Sequence, residues 1–204
     1  MAVFSASIYP PNDLWDYATR VYARGRAGEA CLSLQDTRGV DVNVLLFCCW
    51  VASSGRGVFR EGELEQALIA IGPWRNGVID VLHDLKVRLK SDVSPAPKTL
   101  ADDLRRVIVE SELHAEHAEV LMLHAAMTRP GTGTFDRNRQ IEDSIVNLFR
   151  YLALLRIAPD DEDIRSLIDI LCGAFPEEQP SRIESLTAGM AFRWRAGDRA
   201  LIGG

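Results

Sequence analysis

Apolar residues recur along the chain three and four positions apart, the spacing of amphipathic helices, and no stretch carries a β-hairpin signal. The most apolar run is Asp41-Val-Asn-Val-Leu-Leu-Phe-Cys-Cys-Trp50. Val42, Leu45, Leu46 and Cys49 fill one side of its helical wheel, and Val44, Phe47, Cys48 and Val51 the other. A helix that is apolar all round belongs where other helices cover it. Its nine consecutive apolar residues, Val44 to Ala52, fall short of the roughly 20 that a bilayer span requires. The pattern therefore predicts a central core helix capped by Asp41.

The remaining elements arrange themselves around it. A lead-in over 1–11 ends at Pro10-Pro11. Asn12 or Asp13 can cap a helix to about 23 with Leu14, Tyr17, Ala18 and Val21 inward. A second short helix over 29–37 stops at Gly39. After the central helix comes one over 61–71, and Gly72-Pro73 reads as a boundary with Pro73 opening the next helix. Residues 91–98 form a linker at which the domain can subdivide. The longest helix, 100–127, shows Thr99 and Asp102 as a capping box and has two apolar faces. One runs Leu104, Val107, Ser111, Ala115, Ala118, Met122 and Ala125; the other holds Val109, Leu113, Val120 and Met127. Three more helices follow over 141–155, 160–171 and 183–192, and 193–204 reads as a mobile tail. The expectation is an all-α, single-domain bundle of about eight helices spanning 12–192.

Composition narrows the class. A net charge of −6 argues against a general nucleic-acid or anionic-membrane surface. The N-terminus lacks the basic and apolar regions of a signal peptide, so a cytoplasmic location is expected. Cys31, Cys48, Cys49 and Cys172 lie within apolar helical patterns without a C-x-x-C pair, which reads as buried reduced thiols.

The first third can be read as one motif: Leu14-Trp15-Asp16-Tyr17-Ala18, Leu34-Gln35-Asp36, then Gly39-Val40-Asp41-Val42-Asn43 and Leu45-Leu46-Phe47-Cys48-Cys49-Trp50. This run resembles a family of uncharacterised bacterial proteins, a domain of unknown function, over roughly residues 13–55. The resemblance implies a small intracellular bacterial protein and carries no activity and no catalytic residue with it.

Three constellations are candidates for chemistry. Trp15, Asp16, Gln35, Asp36, Asp41, Asn43 and Trp50 can form a ligand pocket at the mouth of the core helix; the competing reading has them closing helix ends. Glu110, His114 and His117 share a flank of the long helix, where His114 and His117 can hold a divalent metal with Glu110 or His83 completing the shell. However, the chain has no Glu-x-x-His, which a di-iron bundle requires. Asp160-Asp161-Glu162-Asp163 reads as a helix start favoured by the dipole. No nucleophile elbow or phosphate loop is present. The leading expectation is a non-enzymatic accessory or adaptor protein acting through protein contact, with an unknown partner or by self-association, and with no nucleic acid, membrane or cofactor. The alternative is a small-molecule or metal-binding helical protein using the Asp41/Asn43/Trp50 region or the His114/His117 face.

Overall fold

The computed structural model describes residues 9–91, 96–132 and 136–197. Nine α-helices occur among them: α1 (Asp13–Tyr22), α2 (Ala27–Arg38), α3 (Val42–Val51), α4 (Glu63–Trp74), α5 (Asp80–Arg88), α6 (Lys98–Ala126), α7 (Arg137–Leu154), α8 (Asp161–Ala174) and α9 (Pro180–Arg195). Since a π-helical turn, Arg75–Ile79, joins α4 to α5, the continuous rods number eight. The protein is an all-α single-domain bundle.

Helix α3 is its axis. Every residue from Val44 to Val51 is buried, Phe47 completely, because α1, α2, α6 and α7 pack around it. Asp41 starts it as the sequence predicts: its Oδ1 accepts from the amides of Asn43 (2.8 Å) and Val44 (3.3 Å). Asn12 Oδ1 likewise accepts from the Trp15 amide at 2.9 Å to cap α1. At its far end α3 widens into a π turn, Ala52–Arg56, in which Gly55 turns left-handed (φ 77°) and ends the helix.

Helices α8 and α9 close the side of the bundle formed by α2 and α7. The acidic start of α8 is structural: Asp160 and Asp163 form a capping box, and Arg38 bonds both carboxylates. Gly173 of α8 sits against α2 so closely that a Cβ there would lie 2.7 Å from Ala27 Cβ. The α4–α5 rod instead packs along α6, and the distal part of this arm holds its own small core of Leu89, Ala101 and Ile108. No helix among the described residues is long and apolar enough to cross a membrane.

Three sequence expectations change. Pro73 does not open a helix but lies inside α4; its missing N–H and bulky ring weaken the local ladder, and the π turn follows two residues later. Thr99 is no cap, for α6 already starts at Lys98 behind Pro97. The last helix runs to Arg195, so 193–195 are helical. The lead-in over 1–8, linker residues 92–95 and tail residues 198–204 lie outside the described residues.

Helix α6 is also rotated from its predicted orientation. Its buried face is Ala101, Ile108, Glu112, Ala115, Glu119, Val120 and Leu123, while Leu104 and Val107 are 49% and 56% exposed. Two glutamates thus occupy the inward stripe, and part of the predicted apolar stripe faces solvent.

A carboxylate-lined cleft at the mouth of the central helix

The start of α3 opens into a cleft of about 670 Å³, within the range of small-molecule sites. Helix α1 contributes Trp15, Ala18 and Tyr22 to its wall, and α2 contributes Leu32, Gln35 and Asp36. The α2–α3 turn supplies Val40, Asp41, Val42 and Asn43; the arm supplies Arg75, Ile79, Asp80 and His83; α6 supplies Glu112, Leu113, Glu116 and Glu119. Five of the seven predicted ligand residues, Trp15, Gln35, Asp36, Asp41 and Asn43, therefore meet. Asp16 and Trp50 do not line the cleft. Asp16 is exposed. Trp50 is buried near the other end of α3, against Phe47 and His124 and beneath the Arg56 guanidinium at 4.3 Å.

Polar groups on the cleft floor form a connected but incomplete network. The π turn places Arg75 so that its guanidinium pairs with the buried Asp41 carboxylate and lies 3.8 Å from both Asp80 and Glu119. The Asp41 amide donates to the Tyr151 hydroxyl at 2.9 Å. Asn43 Nδ2 donates to Glu119 Oε2 at 2.7 Å. Glu112 is answered by His83 at 3.0 Å and by Lys86. Glu119 Oε1 has no hydrogen-bond partner among the described residues, although the side chain is 0% exposed. Burial pushes the Glu119 carboxyl above its ordinary value, against the pull of Asn43 and Arg75. Burial, reinforced by Glu112 and Glu119, pushes Glu116 up to about 7. Carboxylates therefore outnumber the cations that could neutralise them, in surroundings that make charge costly.

The histidine flank lies elsewhere. His117 is sandwiched between Trp15 and Tyr9, with ring centroids 3.8 and 4.0 Å away, and Tyr9 also stacks on His114. Burial and then His114 lower the His117 pKa. Glu110 is half-buried on the same helix. Among the described residues no three His, Cys, Asp or Glu side chains are grouped to hold a metal. All four cysteines are free, and burial pushes the Cys31 thiol up to about 12 and Cys48 well above its ordinary value. They are poor nucleophiles there.

Sequence reasoning missed Arg75, Glu112, Glu116 and Glu119. The glutamates left a trace: they share a helical stripe with Ile108, Ala115 and Leu123, which a search for carboxylates in register with core residues would have caught. Arg75 left none, because its role depends on the π turn.

The sequence profile of one family, described as "Protein of unknown function (DUF2390)", matches residues 13–123. The chain belongs to that family, and the resemblance carried by residues 13–55 extends to residue 123 in α6. Every cleft-lining residue named above lies inside the matched span, while Tyr151 beneath the floor and the whole of α7, α8 and α9 lie outside it. No curated protein and no solved structure shows a significant match.

Proposed function

We propose that this member of an uncharacterised family binds a small molecule in the cleft at the start of α3. The observation that carries the reading is Glu119, a fully buried side chain lining the cleft whose Oε1, 3.8 Å from Arg75, has no hydrogen bond. A buried acceptor without a partner costs about 1–3 kcal/mol, more when charged. A ligand that donates to it recovers that cost. The four free cysteines fit a reducing, cytoplasmic setting. The test is a small-molecule library screened by protein-observed NMR on the full chain and on Leu113→Trp, which crowds the cleft from an exposed position. Hits should perturb the Val40–Asn43 amides and vanish in the variant. A screen without cleft-dependent hits rejects the reading.

A second reading, protein contact, is favoured by the arm. Leu100, Leu104 and Val107 are 62%, 49% and 56% exposed at helical spacing on α6. The fitting occupant is a second copy of the chain. Asp102-Asp103 precede Leu104 and Arg105-Arg106 follow it, so two antiparallel copies crossing at Leu104 set acidic residues opposite basic ones. Sedimentation velocity should show a dimer that Leu104→Asp dissociates without loss of helicity. A wild-type chain monomeric throughout rejects self-association.

A further inference from the structure

We infer that the cleft recognises a small organic cation: a protonated amine held between Glu116 and Glu119, on an apolar body lying along Trp15, Leu113 and Ile79. This rests on the ligand-binding reading above and specifies its chemistry.

The charge arrangement selects the class. Arg75 is shared between Asp41 and Glu119, and Lys86 is paired with Glu112, so both cations are already engaged by carboxylates. Glu119 Oε1, buried and 3.8 Å from Arg75, has no hydrogen bond, and the Glu116 side chain has no hydrogen bond or ion pair to any described residue. An acceptor-only carboxylate with a free lone pair calls for a donor, and an ammonium group offers three N–H donors. A neutral hydroxyl would satisfy the hydrogen bond and leave Glu116 without an ion-pair partner. The aromatic wall adds to the preference, for Trp15 and Tyr22 line the same cavity and ring faces attract cations. A bare metal ion fits less well, because among the described residues no set of three ligating side chains converges.

The same groups make recognition depend on pH. Glu116 faces Glu112 and Glu119 of its own helix, Lys86 and His83 of α5, Arg75 and Asp80 at the π turn, Tyr22 of α1, and Asp41 at the start of α3. Burial first, then Glu112, hold its carboxyl up to about 7 against Lys86 and Arg75. Below that point Glu116 is protonated and offers the ammonium no charge; above it the charge is present. Affinity for an amine therefore rises as pH increases through neutrality.

The experiment is isothermal titration of the full chain with 2-phenylethylamine, 2-phenylethanol and 3-phenylpropionate, which share a ring and differ in the head group. The amine should bind at least about tenfold more tightly than either analogue, a gap of roughly 1.4 kcal/mol. Its affinity should increase from about pH 6 to about pH 8. Glu119→Gln should weaken the amine at least about tenfold; Glu116→Gln, the milder change if the buried variant folds poorly, should flatten the pH dependence, with His83→Gln as control for the imidazole. Equal binding of amine and alcohol, or preference for the carboxylate, overturns the cation assignment while the cleft remains a binding site. Library hits of another class, with no amine binding, do the same. Failure of both titration and library screen overturns the two readings together.

Discussion

The two ends of α3 bury polar groups in opposite ways. At the far end the polar groups of the junction bond one another densely, and among the described residues only Arg150 Nε there is buried without a partner. Asn147, fully buried, accepts from the Phe59 amide at 2.9 Å and donates to the carbonyls of Cys48 and Gly57 at 3.2 Å. Gln140 donates to the Ser53 carbonyl at 3.0 Å. Arg129 grips Glu63 through two bonds of 2.9 Å and donates to the carbonyls of Arg56 and Val58. At the near end Asp41, Asn43 and Arg75 form a comparable network that stops short, leaving Glu119 Oε1 unbonded beside an open cavity. Both ends are polar and buried, and each leaves one atom without a hydrogen bond: at the far end Arg150 Nε, whose guanidinium already bonds the Phe59 carbonyl, and at the near end a carboxylate oxygen of a residue that lines the cleft. Dense mutual bonding marks architecture, since such a network exists to hold the chain in place. An unbonded acceptor on a cleft-lining residue marks where something else is meant to bind.

The sharpest way to break the comparison is at the far end. Asn147→Ala leaves the Phe59 amide and two carbonyls without their partner, and should cost about 3 kcal/mol; urea unfolding measures it. Arg129→Met keeps most of the apolar stem but removes the paired bonds to Glu63, and should cost about 2 kcal/mol. Neither variant should alter ligand affinity at the other end of α3. Losses below about 0.5 kcal/mol would show that the far network contributes little and that dense bonding is no guide to its role.

These two ends were unequally legible in the sequence. The axis itself was plain, since an apolar run with a capping aspartate admits few other readings, and Asn12 and Asp41 cap as predicted. Half of the cleft was legible because Trp15, Gln35, Asp36, Asp41 and Asn43 lie within one short segment whose helices fold back on one another. Its other half was hidden for two physical reasons. Glu112, Glu116 and Glu119 were passed over because charge ordinarily sits outside, although their spacing follows the core stripe. Arg75 depends on a helix that continues through Pro73 and then widens, an outcome set by packing on α6 rather than by local preference. The far network was invisible for a related reason: Asn147 and Arg129 meet partners more than 65 residues away in the chain. Trp50 was misassigned because helical position alone does not say which end of α3 a side chain serves.

The same residue type stands at both ends, which permits a matched substitution. Asn43 is half-buried and donates one short bond, 2.7 Å to Glu119 Oε2, with a 3.5 Å contact to the Glu116 carbonyl. Asn43→Ala should therefore cost only about 1 kcal/mol, less than Asn147→Ala. It should also raise the Glu119 pKa further, because the bond it removes favours the carboxylate. Amine affinity should fall with it. A loss of stability equal to that of Asn147→Ala would place Asn43 with the structural set and erase the distinction between the ends.

The smallest expected effect carries the opposite sign. The Glu116 carboxyl is raised from 4.5 to about 7 in the folded chain, so between those values the folded state binds more protons than the unfolded one. Stability then falls as pH rises from about 4.5 to about 7. Glu116→Gln removes that fall: the variant should match the wild type in acid and exceed it above neutrality by on the order of 1 kcal/mol, once screening in the open cleft is allowed for. Thermal melts of both chains across this range measure the difference. A residue that destabilises its own fold when charged has a role other than holding the fold, and an amine ligand should close the gap by stabilising the wild type more than the variant. If Glu116→Gln is instead the less stable chain at every pH, the carboxylate is already answered within the protein, and the near end of α3 is as structural as the far one.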